Sequence, residues 1–172
     1  MSLSIIIPHW NTLPLLQRTI ESVRRTTPEP YEIIVVDGRS DDGTREWLAA
    51  QPLVALLLQS NFGYTKPINI GLRVAQGENV VLLNSDVEVE VGWAEALSQA
   101  LLDDPQVGIA GGQIRDMIDR NQIVAGGAIA PAKHKLGWAD RGDLSERTFD
   151  DDYLTFCCVM LRGAMVKQIG QL

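Results

Sequence analysis

The sequence predicts an α/β fold, a mostly parallel sheet flanked by helices, on three observations. Short runs of apolar, largely branched residues recur through the first half: Leu3 to Ile7, Glu32 to Val36, Val54 to Leu58 and Val80 to Leu83. Such runs suit strands buried on both faces. Between them, apolar residues fall three and four apart, the spacing of amphipathic helices. Each strand-helix-strand unit is too short for anything except a crossover, which makes the strands parallel and the connections right-handed.

Taken in order, the first strand is ended by Pro8, which lacks a ladder donor. Asn11 or Thr12 is placed to cap the following helix, Pro14 is tolerated in its first turn, and Leu13, Leu16, Ile20 and Val23 line one face. The second strand closes on Asp37-Gly38-Arg39-Ser40-Asp41-Asp42-Gly43. A short helix from about Thr44 to Ala50 packs Trp47 and Leu48, and Pro52 separates it from the third strand. Asn61-Phe62-Gly63-Tyr64 makes a turn. The next helix has Pro67 near its start, Ile68, Leu72 and Ala75 on one face, and Gly77 placed to stop it in a left-handed conformation. After the Val80 strand, Gly92 precedes a helix in which Trp93, Leu97, Ala100 and Leu101 share a face, ended by Asp103-Asp104-Pro105. Val107 to Ala110 is a further strand. Then the helical rhythm fades: Gln113 to Met117, Gln122 to Ala125 and Ala128 to Ala130 read as short strands in a mixed second half. The polar stretch from Ala132 to Asp152 reads as a mobile loop over the site, and Tyr153 to Leu161 returns to the core.

With 172 residues, 45% of them hydrophobic, the chain is one domain able to bury a full core. Its formal net charge of −7 argues against nucleic acid as a partner, while a local pocket for one phosphorylated small molecule stays compatible with it. The two cysteines, Cys157 and Cys158, are adjacent and read as reduced core residues of an intracellular protein. No apolar run reaches membrane-spanning length and no signal-peptide pattern opens the sequence. The expectation is a cytoplasmic protein, with peripheral association at the inner face of a membrane left open.

The stretch Val80-Val81-Leu82-Leu83-Asn84-Ser85-Asp86 stops abruptly at polar residues, which places Asp86 just past a strand's carboxyl end, the edge where open α/β sheets bind ligands. A carboxylate there suits a hard divalent cation shared with a diphosphate; alternatively, Asn84 and Asp86 form a polar turn capping the next helix. Asp37 ends the neighbouring strand in the same way. It can accept from a ribose hydroxyl or from a ring N–H of uracil, thymine or guanine, or it can satisfy backbone N–H groups within its own Asp-Gly turn. Lys66 and Asn69 lie three apart at a helix start, which favours phosphate, though a solvated surface charge explains Lys66 equally. His9 and His134 read as loop residues rather than ligands. A dinucleotide Gly-x-Gly-x-x-Gly, a Walker loop, a zinc set and a Gly-x-Ser-x-Gly elbow are all missing.

Together, Ile5-Ile6-Ile7-Pro8-His9-Trp10-Asn11, Val35-Val36-Asp37-Gly38-Arg39-Ser40-Asp41-Asp42-Gly43-Thr44, Asn61-Phe62-Gly63 with Asn69 and Gly71, and Leu82-Leu83-Asn84-Ser85-Asp86-Val87 resemble family 2 glycosyltransferases of the GT-A fold, a Rossmann-like mostly parallel sheet, and the rhamnosyltransferase-like members in pattern. The match covers residues 3 to about 112, with a fainter one from Phe156 to Gly170. The resemblance implies one GT-A domain over 1–172, with a nucleotide-binding core at 1–112 and an acceptor-side extension at 113–172. It implies transfer of a sugar, with inversion, from a nucleoside-diphosphate sugar to the hydroxyl of a glycan, lipid-linked or other acceptor. In the same terms Pro8, Asn11, Asp37, Asn84 and Ser85 line the donor pocket, and Asp86 holds Mg²⁺ or Mn²⁺ as the last position of a DXD-like motif. The first position is Asn84, a neutral and weaker ligand, so Asn84 is expected to contact the sugar or ribose. Relatives carry a basic residue where this chain has Ile68, and Lys66 is expected to replace its phosphate contact, alongside Asn69. The general base is expected beyond Leu172, and Asp150, Asp151 and Asp152 read as a solvated acidic turn. Two further readings are a binding module that keeps the nucleotide pocket without turnover and a sugar nucleotidyltransferase, which would carry a Gly-rich basic loop where Pro8-His9-Trp10-Asn11 stands.

Overall fold

The computed structural model describes residues 2–119, 122–125 and 155–172. At its centre lies β1 (Leu3–His9), whose consecutive isoleucines are fully buried on both faces. Two parallel strands, β2 (Tyr31–Asp37) and β4 (Asn79–Leu83), flank it, and β3 (Val54–Leu57) forms one edge. Beyond β4 come β8 (Cys158–Leu161) and β5 (Ile109–Gly111), giving the order β3-β2-β1-β4-β8-β5. Strand β8 runs antiparallel to both its neighbours, so the sheet is mostly parallel with one reversed strand. A separate antiparallel pair is formed by β6 (Ile114–Arg115) and β7 (Ile123–Ala125).

Alternate residues of the sheet feed two cores, as the period of a strand requires. On one face Ile5, Ile7, Ile33, Val35, Val81, Leu83 and Met160 pack with α1 (Leu13–Thr26), α2 (Thr44–Ala49) and α4 (Trp93–Asp103). On the other, Ile6, Ile34, Val36, Val80, Leu82, Val159 and Leu161 meet α3 (Thr65–Leu72) and α5 (Gly163–Ile169). The predicted helix faces hold: Leu16, Ile20 and Val23 of α1 are buried, as are Leu97 and Leu101 of α4. Each such side chain contributes roughly 1.5–3 kcal/mol on burial. Cys158 joins the core and both cysteines are free thiols.

Several local expectations are corrected by long-range contacts. Strand β1 continues through Pro8 to His9, so His9 is a buried strand residue rather than part of a loop. Neither Asn11 nor Thr12 caps α1 with its side chain; the Asp42 carboxylate does so from thirty residues away, accepting from the N–H groups of Thr12 and Leu13 at 2.7 and 2.8 Å. At the C-terminal end of α4, the Arg162 guanidinium donates to the carbonyls of Leu101, Asp104 and Val107. Helix α3 ends at Leu72, five residues before Gly77, and Gly77 has no left-handed backbone. It is needed for proximity: an added Cβ would run into the backbone of Leu3 and Ser4. Strand β5 begins two residues later than Val107. The expected strand at Ala128 to Ala130, the loop from Ala132 to Asp152, His134 and Asp150 to Asp152 lie outside the described residues.

Gly77→Ala is therefore expected to destabilise the fold by ~1–3 kcal/mol, the cost of forcing atoms into a packed site. Urea unfolding of parent and variant measures it, and equal midpoints would show that the backbone yields without cost.

Candidate functional site at the carboxyl edge of the sheet

Strand β1 pairs with β2 as far as His9↔Asp37 but with β4 only as far as Ile6↔Leu82. The hydrogen bonds explain where the ladder stops. Leu3 N–H donates to Pro30 O and His9 O accepts from Gly38 N–H, so the odd residues of β1 face β2; Ser2 O accepts from Asn79 N–H, so the even ones face β4. Pro8 therefore turns its missing donor toward β4, and pairing cannot continue. Because the chain winds to one side through β2 and β3 and then crosses to β4, this is also the topological switch point, where doubly wound sheets open a crevice at the strands' carboxyl ends.

Three loops leave at this edge. The β2 loop is built around Asp37, whose side chain is fully enclosed. Both its oxygens accept from Ser40 N–H, at 3.1 and 3.3 Å, and Oδ1 also accepts the Ser40 hydroxyl at 2.5 Å. The Arg45 guanidinium makes an ion-pair contact to Oδ2 at 3.4 Å, with Nε left without a hydrogen bond, and donates to Leu58 O. So Asp37 does satisfy its own turn, the second of the two readings its sequence position left open. The β1 loop is latched onto it: Asn11 N–H donates to Ser40 Oγ at 2.7 Å, and Asn11 Oδ1 accepts from Asp41 N–H at 2.9 Å. Trp10 stands 54% exposed, and a Cβ on Gly38 would lie 3.5 Å from Trp10 Cβ and 3.6 Å from Asn61 Cα.

The β4 loop carries Asn84, Ser85 and Asp86. Asn84 N–H donates to Cys157 O at 2.9 Å, which ties the loop to the chain entering β8. Its side-chain Oδ1 is buried and has no hydrogen-bond partner among the described residues, whereas Asp86 is exposed. An orphaned buried acceptor costs free energy unless something fills it. Tyr64 closes the far side, its hydroxyl donating to Phe156 O at 2.7 Å. Burial, with Cys157 and the Asp86 carboxylate nearby, pushes the Tyr64 phenol up to about 12, so it remains a neutral donor.

The remaining predicted residues are held elsewhere. The Lys66 ammonium sits 3.5 Å from the centroid of the Phe62 ring, a cation–π contact at the start of α3. Asn69 clamps the backbone of Leu172 with two bonds of 2.9 Å, one through each end of its amide. Ile68 is a core residue. Sequence reasoning missed Trp10, Ser40, Asp42, Thr44 and His9 as parts of the site. The signal was present for Trp10, a large aromatic placed between a buried strand and a helix. His9 Nε2 lies 3.2 Å from Thr44 Oγ1, and its Nδ1 is buried without a partner among the described residues. Burial outweighs the pull of Asp37 and Asp42 and holds the His9 imidazole below its usual 6.5.

Fold and edge together define a mixed α/β domain of the GT-A kind. The sequence profile of glycosyl transferase family 2 matches residues 4–170, and the chain belongs to that family. It is 30% identical over 103 residues to the uncharacterized glycosyltransferase YwdF of Bacillus subtilis, covering 59% of this chain and 38% of that protein. To an undecaprenyl-phosphate 4-deoxy-4-formamido-L-arabinose transferase of Serratia proteamaculans it is 37% identical over 95 residues, 49% of this chain and 29% of that one. Among solved structures, S. aureus TarS 1–349 in complex with UDP-GlcNAc superposes with a TM-score of 0.71 at 19% identity, covering 99% of this chain and 48% of that one. The mannosyltransferase PcManGT from Pyrobaculum calidifontis, in complex with GDP-Man and Mn²⁺, gives 0.65 at 19% identity, over 98% and 46%. The chain thus spans less than half the length of these relatives. Among the described residues no helix is long and apolar enough to cross a membrane.

Two outcomes follow from this geometry. Asp37→Ala strips the Ser40 N–H and hydroxyl and the Arg45 guanidinium of their shared acceptor, and is expected to lower stability by ~1–3 kcal/mol in urea unfolding. Asp37→Asn, which still accepts from Ser40, should lose less; an Asp37→Ala protein as stable as the parent would show that the loop does not depend on it. For His9, the unfolded chain takes up a proton near 6.5 that the folded chain resists, so stability falls as pH drops below that value toward the lower folded pKa. Between about pH 7.5 and about pH 5.5 the parent should lose more stability than His9→Gln, which does not titrate. Equal losses would show that His9 is not responsible.

Proposed function

We propose that this domain binds a nucleoside-diphosphate sugar in the crevice between β1 and β4 and serves the transfer of its sugar, with inversion, to an acceptor hydroxyl. The observation that carries the reading is Asn84 Oδ1, a buried acceptor without a partner among the described residues, at the switch point and two residues before the exposed Asp86. Trp10 offers an exposed ring face beside Gly38 for the nucleobase. Pro8 and Asn11 line the same side, and a ribose or base contact by Asp37 requires Ser40 to turn aside. Ser85 lies between the two polar ends of the β4 loop and is placed for the sugar or the diphosphate. Lys66 reaches the diphosphate by leaving the Phe62 ring; Asn69, committed to Leu172, does so only by releasing it.

The oxygen set fits Mg²⁺ or Mn²⁺. Asp86 would supply a carboxylate to it and the donor phosphates would complete the shell, while the Asn84 amide is left for the sugar or ribose. When bound, such a cation neutralises the charge gathering on the departing diphosphate. The chain's own part is to fix base and ribose against Trp10 and Asn11, to keep Tyr64 a neutral donor beside the site, and to leave the anomeric carbon open to an acceptor on the opposite side from the leaving group. The names of relatives such as the undecaprenyl-phosphate transferase favour a lipid-linked acceptor, with peripheral contact at a membrane surface.

A thermal-shift panel of UDP, GDP and dTDP with and without Mn²⁺ tests the reading, since ligand at ~100 times its dissociation constant stabilises by ~2.7 kcal/mol. Asp86→Ala is expected to keep the fold, because the residue is exposed in a loop, and to abolish the Mn²⁺ dependence of nucleotide binding. A variant that binds with unchanged Mn²⁺ dependence would remove Asp86 from the metal site.

A further inference from the structure

We propose that Asp42 is a positioning residue for donor recognition: it holds the β1 loop in a left-handed backbone that presents Trp10 and Asn11 to the nucleotide. The inference rests on the donor-binding reading given above.

Asn11 and Thr12 have φ of 43° and 115°. For threonine, whose Cβ is branched, such a backbone is strained, and strain of this kind persists only where surrounding contacts enforce it. The enforcing contacts converge on Asp42. Its Oδ2 accepts from Thr12 N–H at 2.7 Å and Leu13 N–H at 2.8 Å. Its Oδ1 accepts the Thr44 hydroxyl at 2.5 Å and Thr44 N–H at 3.2 Å. With its proton given to Asp42, the Thr44 hydroxyl is left to accept from His9 Nε2, which puts the neutral imidazole's proton on Nε2. The carboxylate is thus braced from inside the fold by a buried side chain at the end of β1, and its charge strengthens each bond it accepts.

An ordinary helix cap needs none of this. A Ser or Asp at position 12 would accept locally from an amide further into the first turn, with normal backbone angles, whereas Asp42 takes the amides of Thr12 and Leu13. What the distant cap adds is the left-handed turn itself, immediately after Trp10. The same loop has Asn11 Oδ1 committed to Asp41 N–H and Asn11 N–H committed to Ser40, so the Asn11 side-chain amine is the group left to meet a ligand. The β2 loop therefore does two separate jobs through Ser40 and Asp42, and the second sets where the exposed Trp10 ring stands.

The test separates positioning from capping. Binding of UDP, GDP and dTDP with Mn²⁺ is measured by calorimetry, and thermal stability in parallel, for the parent, Asp42→Ala and Thr12→Gly. Asp42→Ala should lower the melting temperature and weaken the preferred diphosphate by about ten-fold, the scale of one lost contact. Thr12→Gly relaxes the strained angle while keeping the cap, so it should melt no lower than the parent yet bind the same diphosphate several-fold more weakly. That opposition of stability and affinity is what a purely structural cap does not produce. Unchanged affinity in either variant overturns the proposal. A parent that binds none of the three diphosphates overturns the donor reading itself.

Discussion

Everything at the carboxyl edge depends on β1 leaving β4 before it leaves β2. A strand buried on both faces normally pairs on both sides to its end, because each unpaired backbone group away from water costs free energy. Pro8 makes the early departure possible by having no N–H to leave unsatisfied on the β4 side. The single missing donor turns the centre of the sheet into a fork, with His9, Trp10 and Asn11 following β2 and Asn84 to Asp86 following β4. Had Pro8 been an ordinary residue, the ladder would have a donor with which to zip further, at the expense of the gap.

The sheet was legible in the sequence because its strands are short apolar runs with polar stops, and burial on both faces leaves no other home for consecutive isoleucines. Helix faces were legible for the same kind of reason: Leu16, Ile20 and Val23 are spaced for one side of a helix and nowhere else. What the sequence hid were contacts between residues far apart along it. Four apolar residues at Cys158–Leu161 announce a core strand but carry no sign of direction, so the insertion of β8 antiparallel between β4 and β5 had to come from the structure. Gly77 reads as a helix stop and is instead a point of contact with β1. The site divides in the same way. The placement of Asp37, Asn84 and Asp86 follows from strands ending in polar residues, whereas the enclosure of Asp37, the cap on α1, the stacking of Lys66 on Phe62 and the clamp of Asn69 on Leu172 depend on partners that no local spacing encodes.

The two carboxylates at or just past the carboxyl ends of β2 and β4, on either side of β1 rather than on neighbouring strands, also show how one residue type takes opposite roles at one edge of a sheet. Asp37 is surrounded by donors from its own loop and an arginine, so its charge is spent on internal order. Asp86 stands exposed to solvent, with no such enclosure among the described residues. The difference arises from the following residues: Gly38 to Ser40 fold back over Asp37, whereas Ser85 and Asp86 are carried outward after Asn84, whose backbone is fastened to Cys157.

That fastening belongs to a small junction. Phe156 O receives the Tyr64 hydroxyl, Cys157 O receives Asn84 N–H, and Cys158 O receives Gly112 N–H, so three consecutive carbonyls are bolted to three different parts of the fold. The chain thus enters β8 at a mount whose position is set by the start of α3, the end of β4 and the end of β5. In mechanical terms this is a socket: with three successive carbonyls held by Tyr64, Asn84 and Gly112, the register of β8 against β4 and β5 is fixed where the strand begins.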